Sequence, residues 1–329
     1  MAIGIVFQGK GLVELREFSL GDLPSDKIHI KTRTSLISTG TEGICLNRLF
    51  DPGTHFDKWV QYPFSTGYCV VAEVIAIGAE VSGFKVGDRV FTRVSHASEH
   101  HVGTARVAHI PDWVSDEDAQ WSALSMIGSM ILKTGDIRLE DDVAIVGAGP
   151  IGQMALRWCL AAGCKTTICD MVEMRLAMAE MAGATEPFLG NVADFDDHVQ
   201  KVFGARPRIV VDCTGIASVF EKALGIPRKF GTAVILGDTG TPANQHLTPD
   251  IITRGIKVHG CHISHETEDW HELRIMSKFY DLLAAGRFSV EGLNTHRFRP
   301  TDAVEAYALT TQKRSETMGV WFDWRESTF

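Results

Sequence analysis

A ten-residue stretch, Val143 to Gly152, constrains the fold of this chain more than any other part of the sequence. Four apolar residues typical of a β-strand run into three glycines with the spacing GxGxxG: Gly147, Gly149 and Gly152. In such a unit the first glycine permits a tight turn, the second lets the backbone approach a pyrophosphate, and the third allows close packing of helix on strand. Pro150 and Ile151 then open a helix, where a missing N–H is tolerated. The stretch predicts a dinucleotide site at a helix N-terminus.

An acidic residue follows where such a site requires one. Asp170 closes the next predicted strand, 18 residues beyond Gly152. A carboxylate there would accept hydrogen bonds from an adenosine ribose and repel a 2′-phosphate, so NAD is expected rather than NADP. Arg175 lies about one turn further on, where it could meet a 2′-phosphate, lie over the adenine or pair with Asp170. Thr214 and Gly237, at the ends of later predicted strands, complete the expected cofactor-binding set.

The pattern of apolar and polar residues changes near residue 116. Before it, short β-type segments predict a β-rich module with these strands: Ala2–Phe7, Leu12–Phe18, Lys27–Leu36, Val70–Gly78, Arg89–Val94 and His101–Ile110. After Val143, short apolar runs alternate with amphipathic segments, the pattern of βα units on a parallel sheet. The expected fold class is α/β, with a doubly wound domain beside a β-rich one. Ile256–Cys261 is predicted to be a late edge strand.

Charge and cysteine usage exclude several classes of function. The net charge of −9, without a basic block, makes nucleic acid an unlikely partner. Seven cysteines form no CxxC pair and lie in apolar runs, which predicts buried thiols in a reducing compartment, the cytoplasm. The N-terminus lacks the features of a signal peptide, and the longest apolar stretch, Ser122 to Leu132, is too short to cross a bilayer. Neither export nor membrane insertion is expected.

Five stretches together resemble the medium-chain dehydrogenase/reductase superfamily over nearly the whole chain: Gly83–Val90, Ile110–Pro111, Val143–Gly152, Asp212–Gly215 and Asp302–Tyr307. The resemblance implies a GroES-like catalytic domain, residues 1–118 plus 266–329, into which a Rossmann NAD-binding domain, residues 119–265, is inserted. It also implies an active site in the cleft between these domains and a homodimer formed through an edge strand of the Rossmann sheet.

The positions of the zinc ligands in that superfamily carry other residues here. They read Ser38, Gly67-Tyr68-Cys69, and Ala123 or Leu124, and zinc needs three nitrogen, sulfur or carboxylate donors. No bound metal is therefore expected. Ile37–Glu42 and Tyr62–Tyr68 resemble the zinc-free group that includes the bacteriochlorophyllide dehydrogenases, which oxidise a hydroxyethyl group with NAD. A sugar, cyclitol or other polyol is an equally good candidate substrate.

A zinc-free site needs a polar group to hold the alcohol and move its proton. Tyr68 is predicted to act as acid or base if a nearby cation or the cofactor lowers its pKa, while Ser38 and Thr41 orient the hydroxyl or relay its proton. Structural hydrogen bonding is the alternative for all three. Glu42 is interpreted as a helix cap or a solvated residue rather than a base. His96 is a further candidate, either as a substrate partner or as a structural histidine.

The string His96-Ala-Ser-Glu-His100 also has the HxxEH spacing of inverted zinc peptidases. That mechanism needs a helix, and the string lies in a β-rich context, so the peptidase interpretation is set aside. The sequence therefore predicts a zinc-independent, NAD-linked dehydrogenase acting reversibly on a secondary alcohol. Two alternatives stay open: an NADPH-dependent enoyl or quinone reductase, and a nucleotide-binding sensor without turnover.

Overall fold

The computed structural model describes residues 1–326 and divides into two compact units. The β-rich unit comprises Met1–Ala123, His271–Tyr280 and the chain from Val290 onward. The βα unit comprises Leu124–Trp270 and Asp281–Ser289.

Ten strands lie in the β-rich unit: β1 (Ala2–Gly9), β2 (Leu12–Phe18), β3 (Lys27–Leu36), β4 (Phe64–Ser65), β5 (Val70–Ile77), β6 (Arg89–Thr92), β7 (Glu99–Gly103), β8 (Ala108–His109), β15 (Asn294–Phe298) and β16 (Gly319–Asp323). Six lie in the βα unit: β9 (Asp142–Val146), β10 (Lys165–Asp170), β11 (Phe188–Leu189), β12 (Ile209–Asp212), β13 (Thr232–Ile235) and β14 (Lys257–Gly260).

Eleven α-helices lie among the described residues: α1 (Thr39–Asn47), α2 (His55–Trp59), α3 (Asp116–Ala119), α4 (Ser122–Thr134), α5 (Pro150–Ala161), α6 (Glu173–Met181), α7 (Val192–Phe203), α8 (Ala217–Ala223), α9 (Asp250–Thr253), α10 (Glu272–Ala284) and α11 (Ala303–Gln312). In residues 1–326 none of them combines the length and the apolar character that a bilayer crossing needs.

The β-rich unit contains a three-stranded and a seven-stranded sheet. The small sheet has the order β2-β1-β4, and the large one runs β15-β16-β3-β5-β6-β8, with β7 also pairing β3. Alternate residues of β3 and β5, such as Ile28, Ile30, Val70 and Ala72, are fully buried in one apolar cluster. This period of two is what packs one face of each strand into a core.

The βα unit is built on a six-stranded parallel sheet of order β11-β10-β9-β12-β13-β14. From β9 the chain winds outward through β10 to β11, and then returns to β12 on the other side of β9. This reversal is the switch point at which open α/β sheets bind ligands, beyond the carboxyl ends of the strands. The predicted α/β fold class is confirmed, and β14 lies at the sheet edge as expected.

Candidate functional site

The glycine turn after β9 leaves no room for a side chain at its first and third glycines. Gly147 has a φ of +93°, and a Cβ there would lie 2.8 Å from Thr214 Cγ2. A Cβ on Gly152 would collide with the carbonyl oxygen of Gly147, because α5 packs directly on the turn. Gly149 is the N-cap of α5, and Pro150 occupies its first turn. The backbone therefore forms a cradle whose positive helix end favours phosphate.

Asp170 and Arg175 lie beside this cradle. The Asp170 carboxylate accepts a hydrogen bond from the Ala148 N–H at 2.7 Å and another from the Val172 N–H at 2.9 Å. Arg175 Nη1 lies 3.7 Å from Asp170 Oδ2. Of the three positions considered for Arg175, pairing with Asp170 is therefore the one this structure shows. Both carboxylate oxygens retain lone pairs for further donors.

Thr214 and Gly237 lie at the ends of β12 and β13, next to the turn. Asp212 Oδ1 accepts hydrogen bonds from the Thr214 N–H at 2.9 Å and from Thr214 Oγ1 at 2.7 Å. A Cβ on Gly237 would lie 2.5 Å from the Cys213 carbonyl carbon, so two backbone segments meet there without intervening side chains. The structure thus brings the predicted cofactor-binding residues to the carboxyl edge of one sheet.

A separate cluster of hydroxyl groups lies in the β-rich unit. Tyr68 donates a hydrogen bond to Ser38 Oγ at 2.5 Å, and its hydroxyl is 3.5 Å from Thr41 Oγ1. Ser38 is the N-cap of α1, and Tyr68 precedes β5. Three of the four residues predicted to carry the chemistry are therefore in contact.

Burial raises the pKa of the Tyr68 phenol well above its ordinary value of 10, although the Ser38 and Thr41 hydrogen bonds act in the opposite direction. The condition set for Tyr68 as a base, a lowered pKa, is not met in the protein as described. At neutral pH this side chain is a protonated hydrogen-bond donor. Its chemistry is that of a proton donor to an incoming oxygen.

Glu42 and His96 form a buried network next to the hydroxyl cluster. The Glu42 carboxylate accepts hydrogen bonds from the Ser38 N–H at 2.7 Å, Thr66 Oγ1 at 2.8 Å and Tyr307 OH at 2.5 Å. His96 Nε2 lies 3.2 Å from Glu42 Oε2, and its Nδ1 lies 2.8 Å from the Ser35 hydroxyl. Glu42 is 2% exposed, so its interpretation as a solvated residue is wrong, although it does satisfy a backbone N–H at the start of α1.

His96 is completely buried, with both ring nitrogens engaged inside the protein. It could act on a substrate only through another group, such as Glu42 and the Ser38 backbone. Sequence reasoning gave Glu42 too little weight and omitted Tyr307. No capping box identifies Glu42, because it lies four residues after the N-cap Ser38 rather than three.

The HxxEH string does not form a metal site. Glu99 begins β7 and accepts a hydrogen bond from His29, rather than lying with His96 on a helix. Within residues 1–326 no group of three or more His, Cys, Asp or Glu side chains is arranged to hold a metal ion.

Comparison with known proteins follows the two units. A family model described as an alcohol dehydrogenase GroES-like domain matches residues 31–114, and one described as a zinc-binding dehydrogenase matches residues 150–278. The chain belongs to the medium-chain dehydrogenase/reductase superfamily. The superfamily predicted from the sequence is therefore confirmed, and with it the pairing of a GroES-like unit with a Rossmann sheet.

Two members of this superfamily show how far this chain has diverged from its relatives in sequence. The L-threonine 3-dehydrogenase of Shewanella baltica is 28% identical over 291 residues, covering 77% of this chain and 82% of the relative. The sorbitol dehydrogenase of Rattus norvegicus is 24% identical, covering 93% of this chain and 91% of the relative. A solved zinc-dependent alcohol dehydrogenase 2 from Streptococcus pneumonia superposes with a TM-score of 0.84 at 19% identity, covering 100% of both chains. The last likeness concerns the fold alone.

Proposed function

We propose that this protein is a zinc-independent, NAD-linked dehydrogenase that reversibly oxidises a secondary alcohol to a ketone. The observation that carries the proposal is the glycine cradle at the switch point of the parallel sheet, with Asp170 beside it. The relatives support the class of reaction, since L-threonine and sorbitol both carry secondary hydroxyl groups. A sugar, cyclitol, polyol or hydroxyethyl group is the proposed substrate class.

The residues present fit a dinucleotide. Gly147, Gly149 and Gly152 leave the backbone bare where phosphates would approach, and a side chain at Gly152 would collide with the Gly147 carbonyl oxygen and open the turn. Pro150 and Ile151 open the helix, and Thr214 and Gly237 border the same edge. Asp170 would accept hydrogen bonds from the ribose, which favours NAD over NADP. When bound, this cofactor accepts the hydride and thereby supplies the redox chemistry.

The residues present do not fit a catalytic zinc ion. Two of the superfamily's ligand positions hold the neutral hydroxyls of Ser38 and Tyr68, and a phenol with a raised pKa does not ionise readily to bind a metal. Zinc needs three donors from imidazole, thiolate or carboxylate, and this cluster lacks such a set. The proposed chemistry therefore uses the hydroxyl cluster alone.

In this proposal Ser38 and Thr41 orient the substrate oxygen, and Tyr68 donates a proton to it when a ketone is reduced. By microscopic reversibility alcohol oxidation uses the same group as its phenolate, which forms when the phenol loses its proton to solvent toward alkaline pH and then receives the proton of the alcohol. Glu42 fixes the Ser38 backbone, and His96 holds Glu42 in place; both are positioning residues. Their hydrogen bonds orient the cluster in advance of binding, which lowers the entropy cost of reaching a reactive geometry.

Titration of the protein with NAD, NADP and their reduced forms, followed by a panel of polyols, sugars and hydroxyethyl tetrapyrroles, tests the proposal. We expect tighter binding of NAD and growth of absorbance at 340 nm with at least one secondary alcohol. In Asp170→Asn the preference for NAD should shrink. Reduction of enones with NADPH would instead indicate an enoyl or quinone reductase, and NADH binding without any turnover would indicate a sensor.

Elemental analysis tests the metal part separately. One zinc ion per chain that survives mild chelation would contradict the proposed role of the hydroxyl cluster.

We further propose a cytoplasmic homodimer. All seven cysteines are free thiols, which suits a reducing compartment. The open edge of β14 suits pairing with a second copy. Neither nucleic acid nor membrane insertion has a place in this function.

A further inference from the structure

One cation lies directly against the hydroxyl cluster. The guanidinium carbon of Arg93 is 5.9 Å from the centroid of the Tyr68 ring, within the range of a cation–π contact. The register explains the position: antiparallel β5 and β6 pair Val70 with Thr92, so one step beyond this pair Arg93 lies beside Cys69, which follows Tyr68. The same elements that place Tyr68 therefore place Arg93.

Arg93 makes few polar contacts within the described residues. Its side chain is 26% exposed, and its one ion pair joins Nη1 to Glu272 Oε2 across 3.8 Å, longer than a hydrogen bond. Arg106 donates to the same Glu272 oxygen at 3.3 Å. The charge of Glu272 is therefore shared with a closer cation. Across residues 1–326 we find no hydrogen bond from the Arg93 guanidinium, which has five N–H donors.

We infer that Arg93 binds an anionic group of the substrate, a carboxylate or a phosphate, and so restricts the substrate to secondary alcohols that carry a negative charge. A guanidinium with unused donors is the side chain best suited to bidentate recognition of either anion. The net charge of −9 would not steer such a ligand to the protein, so a local cation has to supply the attraction. This inference rests on the proposed function and names its substrate class.

Neighbouring carboxylates do not cancel this attraction. Glu42 accepts hydrogen bonds from Ser38, Thr66 and Tyr307 and faces His96, so its charge is used inside the protein. Glu272 is closer to Arg93, but Arg106 faces it as well. A bound anion would thus approach two guanidinium groups and one carboxylate. The local balance stays favourable to it.

Matched pairs of probes test the inference: 3-hydroxybutyrate against its methyl ester for a carboxylate, and sorbitol 6-phosphate against sorbitol for a phosphate. We would measure binding to the NADH-loaded protein by calorimetry, and kcat/KM with NAD. For at least one pair, the anionic probe should be preferred roughly 10- to 100-fold, since hydrogen bonds to charged groups are the strong ones. The pair that shows the preference identifies the anion.

Arg93→Met should bring that ratio close to one, while Arg93→Lys should keep part of it. Arg106→Met is the matched control, because it removes the other cation of Glu272 from a side chain that is 65% exposed. It should lower the preference far less than Arg93→Met does, because the donors that bind the anion remain. Thermal unfolding of each variant separates a lost contact from a lost fold.

Equal binding of both members of each pair, or a preference that survives in Arg93→Met, would overturn the inference. Turnover of neutral alcohols without a preference for anions would leave the proposed function standing and remove only the inference. Binding of an anion through Arg93 without oxidation of any alcohol would remove the proposed function and leave only the anion site.

Discussion

Individual side chains of the β-rich unit form a hydrogen-bond chain that ends at the proposed reactive hydroxyls. Trp324 Nε1 donates to Ser35 Oγ, Ser35 contacts His96, His96 contacts Glu42, and Glu42 accepts the Ser38 N–H. Each member is buried, so each donor and acceptor needs its partner. A change at Glu42 or His96 is therefore felt at Ser38 without any contact with the substrate.

Glu42→Gln should lower stability by about 3 kcal/mol near neutral pH, because it leaves the buried His96 without its charged partner. Burial alone would raise the pKa of Glu42, but the charge and hydrogen bond of His96, with the hydrogen bonds of Tyr307 and Thr66, hold it below 4.5. The folded state therefore gains stability above the unfolded pKa and loses it as pH falls through the folded pKa. Urea denaturation from pH 7 to pH 3 should show a weaker acid dependence in the variant. An unchanged pH dependence would contradict this account.

His100 should make the fold sensitive to mild acid. Burial lowers its pKa from 6.5 to about 4, and its Nε2 has no partner among the described residues. Because the unfolded chain binds this proton first, stability should fall as pH drops from 6.5 toward 4, by at most about 3 kcal/mol. Melting temperatures of His100→Gln should vary less over that interval than those of the parent protein. Parallel curves for both proteins would remove His100 as the cause.

Tyr68→Phe should reduce turnover by roughly 100-fold or more, the usual contribution of a positioned acid or base. Since the pKa of Tyr68 is raised well above 10, ketone reduction should be flat across neutral pH, and alcohol oxidation should accelerate toward alkaline pH. Initial rates in both directions between pH 6 and pH 10 check the expectation. Tyr62→Phe is a suitable control, because that hydroxyl donates to the Cys45 carbonyl instead.

At the scale of elements, a helix or strand can be predicted from the sequence when residues close together in the chain stabilise it. Most of the predicted strands and the turn at Gly147 obey short-range patterns, and the structure confirms them. The prediction of one strand over His101–Ile110 is wrong, because a 3-10 turn at Thr104–Arg106 separates β7 from β8. Helix α7 also has local signals: Asn191 caps it, Gly204 ends it with a φ of +77°, and its buried residues keep helical spacing: Val192, Phe195, Val199 and Val202.

Helix α1 is a different case. Its sequence, TGTEGICLN, includes two glycines and has weak helix propensity, so no local pattern indicates a helix. Tertiary contacts stabilise it instead, through buried Cys45 and Leu46 in the core cluster and through the hydrogen bonds of Glu42. The Ser38–Tyr68 contact likewise joins segments 30 residues apart, which sequence spacing alone cannot orient.

The free edge of β14 allows a test of the proposed homodimer. Lys257 and Cys261 donate their N–H groups to β13 and its flanks, so the N–H of Val258, which alternates with them, points to the open edge. Val258→Pro should therefore keep the sheet but disrupt pairing with a second copy. Sedimentation velocity should show a shift from dimer to monomer, with Val258→Ala as the control. A dimer that survives the proline would place the interface elsewhere.

At the scale of the whole molecule, each unit is assembled from distant parts of the chain. Asp281–Ser289 belongs to the βα unit because Arg157 Nε donates to the Ser289 carbonyl at 2.5 Å and Phe288 packs on Trp158. The composition of Asp281–Ser289 does not indicate that this segment belongs to the βα unit, because only side-chain contacts place it there. In the β-rich unit, β16 hydrogen-bonds β3 over Leu36–Thr34, far away in sequence.

A chain that stops before Gly319 lacks β16 and should lose the β-rich unit. β3 would lose its pairing with β16 on one edge, and Phe322 and Trp324 would be missing from the core cluster. The βα unit keeps its whole sheet, so NADH binding should persist in the truncated protein. Hydrogen exchange with and without NADH measures both. Normal protection of β3 in the shortened chain would contradict the expectation.

The pairing of β16 with β3 also fixes an order of events during synthesis. β3 leaves the ribosome nearly three hundred residues before the strand that completes its sheet, whereas all six strands of the parallel sheet are available well before termination. The βα unit can mature on the nascent chain, while the β-rich unit has to wait, with an open sheet edge, until β16 is translated. Chaperone demand should therefore concentrate on the earliest part of the polypeptide to be made.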